Sequence, residues 1–164
     1  MHSTIRVVRR LAWVFIAYRL PREPSTPRIA VWRKLRRLGV AQVGDGLVAL
    51  PHDARTREQL EWIADEVVEA GGEASIWLAE AASAAQERAI ASGMAEEIAD
   101  EYRAVTAEAE AAVTEASGQR RRTLSRLRRE LRRIRARDFF PPPEAERARR
   151  AVDELAKAAE AVQQ

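Results

Sequence analysis

The chain has 164 residues, of which 46% are hydrophobic, and it carries a formal net charge of +3 at pH 7. It contains no cysteine and two histidines, which excludes disulfides, thiol catalysis and metal sites built from cysteine or from several histidines. The length fits one compact domain or a small domain with an appendage. All four tryptophans precede residue 78, so we expect the packed core within residues 5–78.

The first predicted elements are a strand and a helix. The segment Trp13 to Tyr18 is apolar, aromatic and β-branched, which is typical of a central strand. Three prolines then exclude regular structure as far as about residue 27, and Ser25 or Thr26 can cap the helix that follows. Gly39 ends this helix. Its inward apolar stripe is predicted to be Val31, Trp32, Leu35 and Leu38.

A hairpin and a second helix are predicted next. Gly44-Asp45-Gly46 joins the short apolar runs 41–43 and 47–50, which indicates a β-hairpin. The second helix is predicted to begin at Thr56, where Gln59 completes a capping box. The residues expected to face inward from this helix are Leu60, Ile63 and Val67.

A fourth strand over residues 74–78 completes the order β-α-β-β-α-β, which is that of the ferredoxin-like arrangement. We therefore expect an α+β fold, with a ferredoxin-like domain in residues 1–78 and a long antiparallel helical extension in residues 79–164. The extension is rich in Ala, Glu and Arg, which is typical of long exposed helices. Its helices are predicted over residues 79–92, 94–116, 120–136 and 144–162, with a break at Ser117-Gly118. The inward positions are predicted to be Met94, Ile98, Tyr102, Val105, Ala109 and Val113, then Leu124, Leu127, Leu131 and Ile134 at coiled-coil-like spacing, then Ala148, Val152, Leu155 and Val162.

Charge is strongly segregated along the sequence. Residues 1–40 carry about +9, residues 41–72 about −5, residues 73–117 about −8, residues 118–137 about +9 and residues 138–164 about −2. Opposite blocks of one chain can neutralise each other when they fold together. Any part of the positive surface that stays uncovered needs an anionic partner such as nucleic acid.

The basic side of the first helix is one candidate site. Arginine pairs bidentately with phosphate oxygens, so this surface can contact the backbone of DNA. The alternative is a solvated helix face that Glu61, Asp65 and Glu66 on the second helix partly neutralise. The candidate phosphate contacts are Arg22, Arg28, Arg33, Lys34, Arg36 and Arg37.

Residues 120–137 are the second candidate, since they hold ten arginines and a single acid, Glu130. One interpretation is a basic arm for DNA. The interpretation we favour is that the acidic helix 94–116 folds antiparallel against it. Because arginines occupy most of the circumference of this helix, one neighbour cannot satisfy all of them. In the first interpretation the phosphate contacts are Arg120, Arg121 and Arg122; in the second the arginines are flanked by Glu96, Glu97, Asp100, Glu101 and Glu108.

Catalytic and metal-binding patterns are absent from the sequence. The acidic pairs Asp65-Glu66, Glu96-Glu97 and Asp100-Glu101 are predicted on exposed helix faces with no histidine nearby, and no glycine-rich phosphate loop, nucleophile elbow or metal-ligand spacing is present. We therefore expect no enzyme activity, no metal site and no cofactor. The apolar run Leu11 to Tyr18 is too short to span a membrane, so we expect a cytoplasmic protein without a membrane partner.

Five segments carry a resemblance to a known family. They are YRLPREPS at residues 18–25, VWRKLRRLG at 31–39, TREQ at 56–59, GGEA at 71–74 and IRARDFFP at 134–141. All five are similar to the N-terminal region of the chromate resistance protein ChrB family. The sequences RLPREP and RDFF are the more specific ones, because helix composition does not explain them.

The resemblance implies a chromate-responsive transcriptional regulator, which binds operator DNA and releases it when chromate is present. The alternative is an oxyanion-sensing or structural protein-interaction module that does not bind DNA directly. Chromate is a tetrahedral dianion, and Arg19, Arg22 and Arg28 form its possible site. We also expect a homodimer, because ferredoxin-like sheets leave exposed edges.

Overall fold

The computed structural model of the chain describes residues 10–161. The chain divides into two compact units, one ending at Ala91 and the other beginning at Ser92, whereas the sequence placed the boundary after residue 78. The division therefore lies inside a helix. The elements are β1 (Ala12–Arg19), α1 (Thr26–Leu38), β2 (Ala41–Gly44), β3 (Leu47–Pro51), α2 (Ala54–Glu69), β4 (Glu73–Glu80), α3 (Ala84–Ala112), α4 (Ser117–Ala136) and α5 (Pro143–Glu160).

Four antiparallel strands form the sheet of the first unit, in the order β2-β3-β1-β4. The strand β1 pairs with both β3 and β4, so that Ile16 lies opposite Val48 and Ile76. Because β1 is central, it is apolar on both faces, and Trp13, Val14 and Ile16 have no exposed surface. The predicted α+β class is confirmed.

Helix α1 buries a narrower stripe than the sequence predicted. Val31 and Leu35, one turn apart, are buried, whereas 53% of the surface of Trp32 is exposed. Adjacent residues of a helix point in directions about 100° apart, so the neighbour of a fully buried residue can project away from the core. The prediction that Trp32 belongs to the core is therefore wrong. Ser25 precedes the helix, but its side chain makes no capping hydrogen bond.

Helix α2 begins at Ala54, because Asp53 and not Thr56 is its N-cap. The Asp53 carboxylate accepts a hydrogen bond of 2.8 Å from the Thr56 amide, and the Thr56 hydroxyl accepts one of 2.9 Å from the Asp53 amide. These two bonds form the capping box, so the predicted role of Gln59 is wrong. The bond from the Thr56 amide stabilises the charged carboxylate and lowers the pKa of Asp53. As predicted, the buried residues of the helix include Leu60, Ile63 and Val67.

Two glycines allow close backbone contacts at the C-terminal end of β1. A Cβ atom on Gly46 would lie 2.3 Å from the carbonyl oxygen of Tyr18, and one on Gly72 would lie 2.3 Å from that of Arg19. Neither position therefore accommodates a side chain. The amide of Tyr18 also donates a 2.8 Å hydrogen bond to the carbonyl of Gly46. The end of β1 is thus held between the β2–β3 turn and the start of β4.

The second unit has an apolar core of its own, formed by α3, α4 and α5. The expectation of a packed core confined to residues 5–78 is therefore wrong. Many of the buried side chains here are alanines, whose small size lets helices approach closely, so low aromatic content did not prevent a core from forming. The core residues are Ile98, Tyr102, Val105, Ala109, Ala112, Leu124, Leu127, Leu131, Ile134, Ala148, Val152, Leu155 and Ala159.

The predicted inward positions of the second unit are confirmed on α4, where all four are buried, and for Ala148, Val152 and Leu155 on α5. The prediction that Val113 faces inward is wrong, since this residue follows the end of α3 and 37% of its surface is exposed. Val162 lies outside the described residues.

Contacts between α3 and α4 run in opposite directions along the two helices. Glu101 of α3 contacts Arg137, at the end of α4. Glu108, two turns further along α3, contacts Arg126, which lies three turns before Arg137. The two helices are therefore antiparallel. The predicted break at Ser117-Gly118 is wrong, because both residues lie in the first turn of α4, and the chain reverses over residues 113–116.

Candidate functional site

The cations of α1 are exposed, and few of them have an acidic partner. The Lys34 Nζ atom lies 2.6 Å from a carboxylate oxygen of Glu66, the contact between α1 and α2 that the sequence anticipated. Arg36 lies over the ring of Trp32, 5.4 Å from its centroid. Glu61 pairs within its own helix and not with α1. Within residues 10–161 no ion pair or hydrogen bond engages the guanidinium groups of Arg22, Arg28, Arg33 and Arg37.

A groove of about 560 Å³ opens between the end of β1, the first half of α1 and the β2–β3 turn. Arg19 and Arg28 line it, whereas Arg22, the third member of the predicted oxyanion site, does not. Arg19 pairs with Glu73 at 3.0 Å, but the two side chains are 81% and 80% exposed, so solvent screens this pair strongly. Both groove arginines are therefore accessible to an anion.

Helix α3 neutralises part of the arginine-rich segment, as one interpretation of the sequence predicted. The side chains of Glu108 and Glu101 form ion pairs with Arg126 and Arg137. Asp100, also expected there, pairs with Arg103 on its own helix. In the part of the chain that the structure describes, Glu96 and Glu97 form no ion pair.

Arg120, one of the predicted phosphate contacts, binds backbone groups of its own unit. Its guanidinium donates hydrogen bonds to the carbonyl oxygen of Ala158 at 2.7 Å and to that of Glu115 at 2.8 Å. It therefore joins the end of α5 to the segment that follows α3. The prediction that Arg120 is free to contact a phosphate is not supported by these bonds, whereas Arg121 and Arg122 are exposed.

Four arginines of α4 form an exposed stripe at spacings of seven, four and three residues, which bring them to one side of the helix. No acidic side chain among residues 10–161 pairs with any of them. Sequence reasoning named only the first, although this spacing could have identified the rest. The stripe consists of Arg121, Arg128, Arg132 and Arg135, which we call the α4 arginine stripe.

Beside the stripe, an open cleft of about 450 Å³ is lined by three arginines of α4, together with Gly118 and Ser125. Arg129 contacts the Ser125 hydroxyl at 3.1 Å, which leaves its charge uncompensated. Like charges gathered in one cleft raise the local concentration of anions such as phosphate. The cleft arginines are Arg121, Arg122 and Arg129.

The motif Arg137-Asp138 joins the end of α4 to α3. Both terminal nitrogens of Arg137 contact the Glu101 carboxylate, and this bond raises the pKa of the arginine. The Tyr102 hydroxyl donates a 2.7 Å hydrogen bond to Asp138, and burial followed by this contact raises the pKa of the tyrosine. This pair of contacts, which we call the α3–α4 clasp, gives the motif a structural role.

Neither metal-binding nor membrane-spanning features occur in the described part of the chain. Residues 10–161 contain no group of three or more histidine or carboxylate side chains placed to hold a metal ion. Among the same residues, no helix combines the length and the apolar character needed to cross a bilayer.

Comparison with known protein families gives a match to the family described as "Protein ChrB, N-terminal", over residues 28–164. No curated protein and no solved structure matches the chain significantly. The family match begins inside α1 and includes the GGEA and RDFF segments. Since it covers much more than half of the residues, this chain belongs to the ChrB N-terminal family, which relates it to chromate resistance.

Proposed function

We propose that this protein is the DNA-binding module of a chromate-responsive transcriptional regulator, which holds operator DNA and releases it when chromate is present. Family membership supports the link to chromate resistance. The link to DNA is supported by exposed arginines on α1 and α4 that have no acidic partner among residues 10–161. The module has no enzyme activity of its own and acts in the cytoplasm as a homodimer. Its first unit is ferredoxin-like, as its β-α-β-β-α-β element order suggests.

The observation that carries the proposal is the α4 arginine stripe. A soluble helix usually pairs its surface charges with opposite charges three or four residues away, as α5 does. Within α4 the stripe has no such acids, although two other arginines of the helix contact Glu108 of α3 and Glu130 of α4. Unpaired arginines in a row fit a regularly spaced polyanion, and duplex DNA offers such a row of phosphates.

The expected salt dependence can be worked out from the stripe. Each phosphate contact contributes about −0.9 to the slope of log K against log salt for duplex DNA, so four contacts give a slope of about −3.6. Between 50 and 200 mM salt, affinity should therefore fall about 150-fold from this surface alone. The arginines of α1 would steepen the slope further.

Titration of a fluorescent duplex, taken from the region upstream of the coding sequence, tests this function. Replacing the four stripe arginines by Gln should make the slope shallower by about 3.6. Replacing Arg22, Arg28, Arg33 and Arg37 shows what α1 and the segment before it add. The matched control replaces four cations of α5 that acids of the same helix hold: Arg147, Arg149, Arg150 and Lys157. If the control lowers affinity as much as the stripe variant, net charge and not the stripe explains binding, and the proposal fails.

Release by chromate is tested on the same complex. Chromate should raise the dissociation constant for DNA, whereas sulfate, a tetrahedral dianion of similar size, should have little effect at equal ionic strength. Variants of Arg19, Arg22 and Arg28 then show whether these side chains form the chromate site. Equal effects of both anions would mean simple competition for arginines and would count against a chromate-specific response.

The second candidate function is an oxyanion sensor that does not bind DNA. It is favoured by one observation, which is that Arg19 and Arg28 lie in the lining of the same groove. This function predicts that chromate raises the melting temperature of the protein while duplex DNA causes no change. DNA binding with the salt slope given above would exclude it.

A further inference from the structure

The groove between β1, α1 and the β2–β3 turn has a lining that the fold alone does not require. Trp32 and Ile29 both line it, and they keep 53% and 46% of their surface exposed. Burial of apolar side chains stabilises a fold, and these two side chains forgo about half of that gain unless a ligand covers them. Exposed apolar surface within a concave site is typical of a ligand-binding pocket.

Aromatic groups supply much of this apolar surface. Tyr18 lies at the end of β1, where Gly46 and Gly72 hold the backbone closely, so its position is fixed by the fold. Arg36 lies over one face of the Trp32 ring, 5.4 Å from its centroid, so a ligand base would stack on the opposite face. A planar aromatic ligand would find both rings at the groove without a rearrangement of the backbone.

Charged groups at the same groove select the rest of the ligand. Arg28 makes no ion pair with any described residue, and Arg19 makes a screened one. Asp45 also lines the groove and likewise has no ion-pair partner within residues 10–161. The groove therefore offers cations for an anionic group and, near them, a carboxylate that can accept hydrogen bonds from N–H donors.

The volume of the groove is larger than a small inorganic anion fills. About 560 Å³ lies within the range of sites for organic ligands, whereas a five-atom oxyanion could contact one arginine pair and leave the aromatic surface uncovered. A nucleotide combines the three features that the lining calls for: a flat aromatic base, N–H donors on the edge of that base, and a phosphate.

We propose that the groove binds a single nucleotide, with Trp32 as the stacking surface for the base, Arg28 as the phosphate contact and Asp45 as the acceptor for base N–H groups. The nucleotide is either free in solution or an unpaired nucleotide of a nucleic acid. The site is separate from the α4 arginine stripe in its chemistry, because it uses stacking and base-edge contacts as well as charge. It does not depend on operator binding.

Calorimetric titration of the full chain with GMP, guanosine and ribose 5-phosphate tests the site. GMP should bind more tightly than either fragment. Trp32→Ala should weaken GMP binding about tenfold or more, which is the usual effect of losing a base-stacking side chain. Arg28→Ala should abolish the difference between GMP and guanosine, because the missing contact is to the phosphate.

The controls are residues of the same type outside the groove. Trp62→Ala removes a tryptophan of α2 that is 65% exposed, and Arg88→Ala removes an exposed arginine of α3 that does not line the groove, so both should leave GMP affinity unchanged. All four substitutions are at exposed positions, and circular dichroism checks that each variant is folded. A trinucleotide that binds more tightly than GMP assigns the site to nucleic acid, and the reverse order assigns it to a free nucleotide.

Three results would overturn the proposal: no heat of binding with GMP into the millimolar range, equal affinity for GMP and ribose 5-phosphate, or an unchanged GMP affinity in Trp32→Ala. Because none of these titrations contains duplex DNA, failure here leaves the salt-dependence test of the proposed function intact. Failure of operator binding likewise leaves this result intact.

Discussion

The α3–α4 clasp predicts a measurable loss of stability when a single hydroxyl is removed. Tyr102 is 1% exposed, and its hydroxyl donates to one carboxylate oxygen of Asp138. The other oxygen of that carboxylate is buried without a hydrogen bond from any described residue. Tyr102→Phe keeps the ring in the core but leaves the carboxylate without its donor. Hydrogen bonds to charged groups contribute about 1.5–3 kcal/mol, and Asp138 is partly exposed, so we expect a loss of about 1–2 kcal/mol.

Thermal and urea unfolding followed by circular dichroism at 222 nm measure this loss, because the helices of the second unit supply much of the signal. A loss of 1–2 kcal/mol corresponds to a decrease in melting temperature of roughly 2–8 °C for a chain of this size. The double variant Tyr102→Phe/Asp138→Ala should be less destabilised than the sum of the single variants. If Tyr102→Phe lies within about 0.5 kcal/mol of the parent protein, the clasp does not stabilise the helix pair.

Three further predictions concern pH and backbone contacts. Since folding raises the pKa of Tyr102, its contribution should be complete below about pH 10 and decline as the pH rises further, and alkaline titration of Tyr102→Phe should lack this component. Asp53→Ala should cost about 1 kcal/mol through the lost N-cap, measured by urea unfolding at pH 7. Because the pKa of Asp53 is lowered in the folded state, the cost should shrink as the pH falls below about 4, and a constant cost would contradict the capping role. Gly72→Ala should destabilise by more than about 2 kcal/mol because of its contact with the Arg19 carbonyl, whereas Gly93→Ala, with nothing within 4 Å of the added carbon, should be neutral or stabilising. Equal melting temperatures for the two glycine variants would disprove the steric explanation.

Helix and strand positions could be predicted where an element has one clear apolar side. On α4 the spacing of Leu124, Leu127, Leu131 and Ile134 places them on one face, which packs against α3 and α5, so all four were correctly predicted to be buried. On α1 the pattern was ambiguous, because Val31 and Trp32 are adjacent and both apolar. Only the packed structure shows that α1 meets its neighbours along the side of Val31.

The candidate site was predictable in composition but not in detail. The sequence identified both arginine-rich segments, since clusters of like charge are visible without a fold. The sequence could not show which arginines form ion pairs or hydrogen bonds. That depends on which side of α4 lies against a carboxylate or a free backbone carbonyl of another segment. Arg120 and Arg126 are engaged for this reason, while Arg128 and Arg132 are not. The sequence grouped Arg19 and Arg28 in one possible site but did not add Trp32 or Asp45, which the fold brings to the same groove.

The position of the tryptophans gives the protein a built-in optical label. All four indoles precede Ala91, whereas the core of the second unit has Tyr102 as its aromatic residue. Emission excited at 295 nm therefore reports on the first unit, and far-ultraviolet ellipticity reports largely on the helices of the second. One denaturant series can be followed by tryptophan emission and by far-ultraviolet ellipticity. Coinciding unfolding midpoints indicate a single cooperative transition, and different midpoints indicate stepwise unfolding, without any added fluorophore.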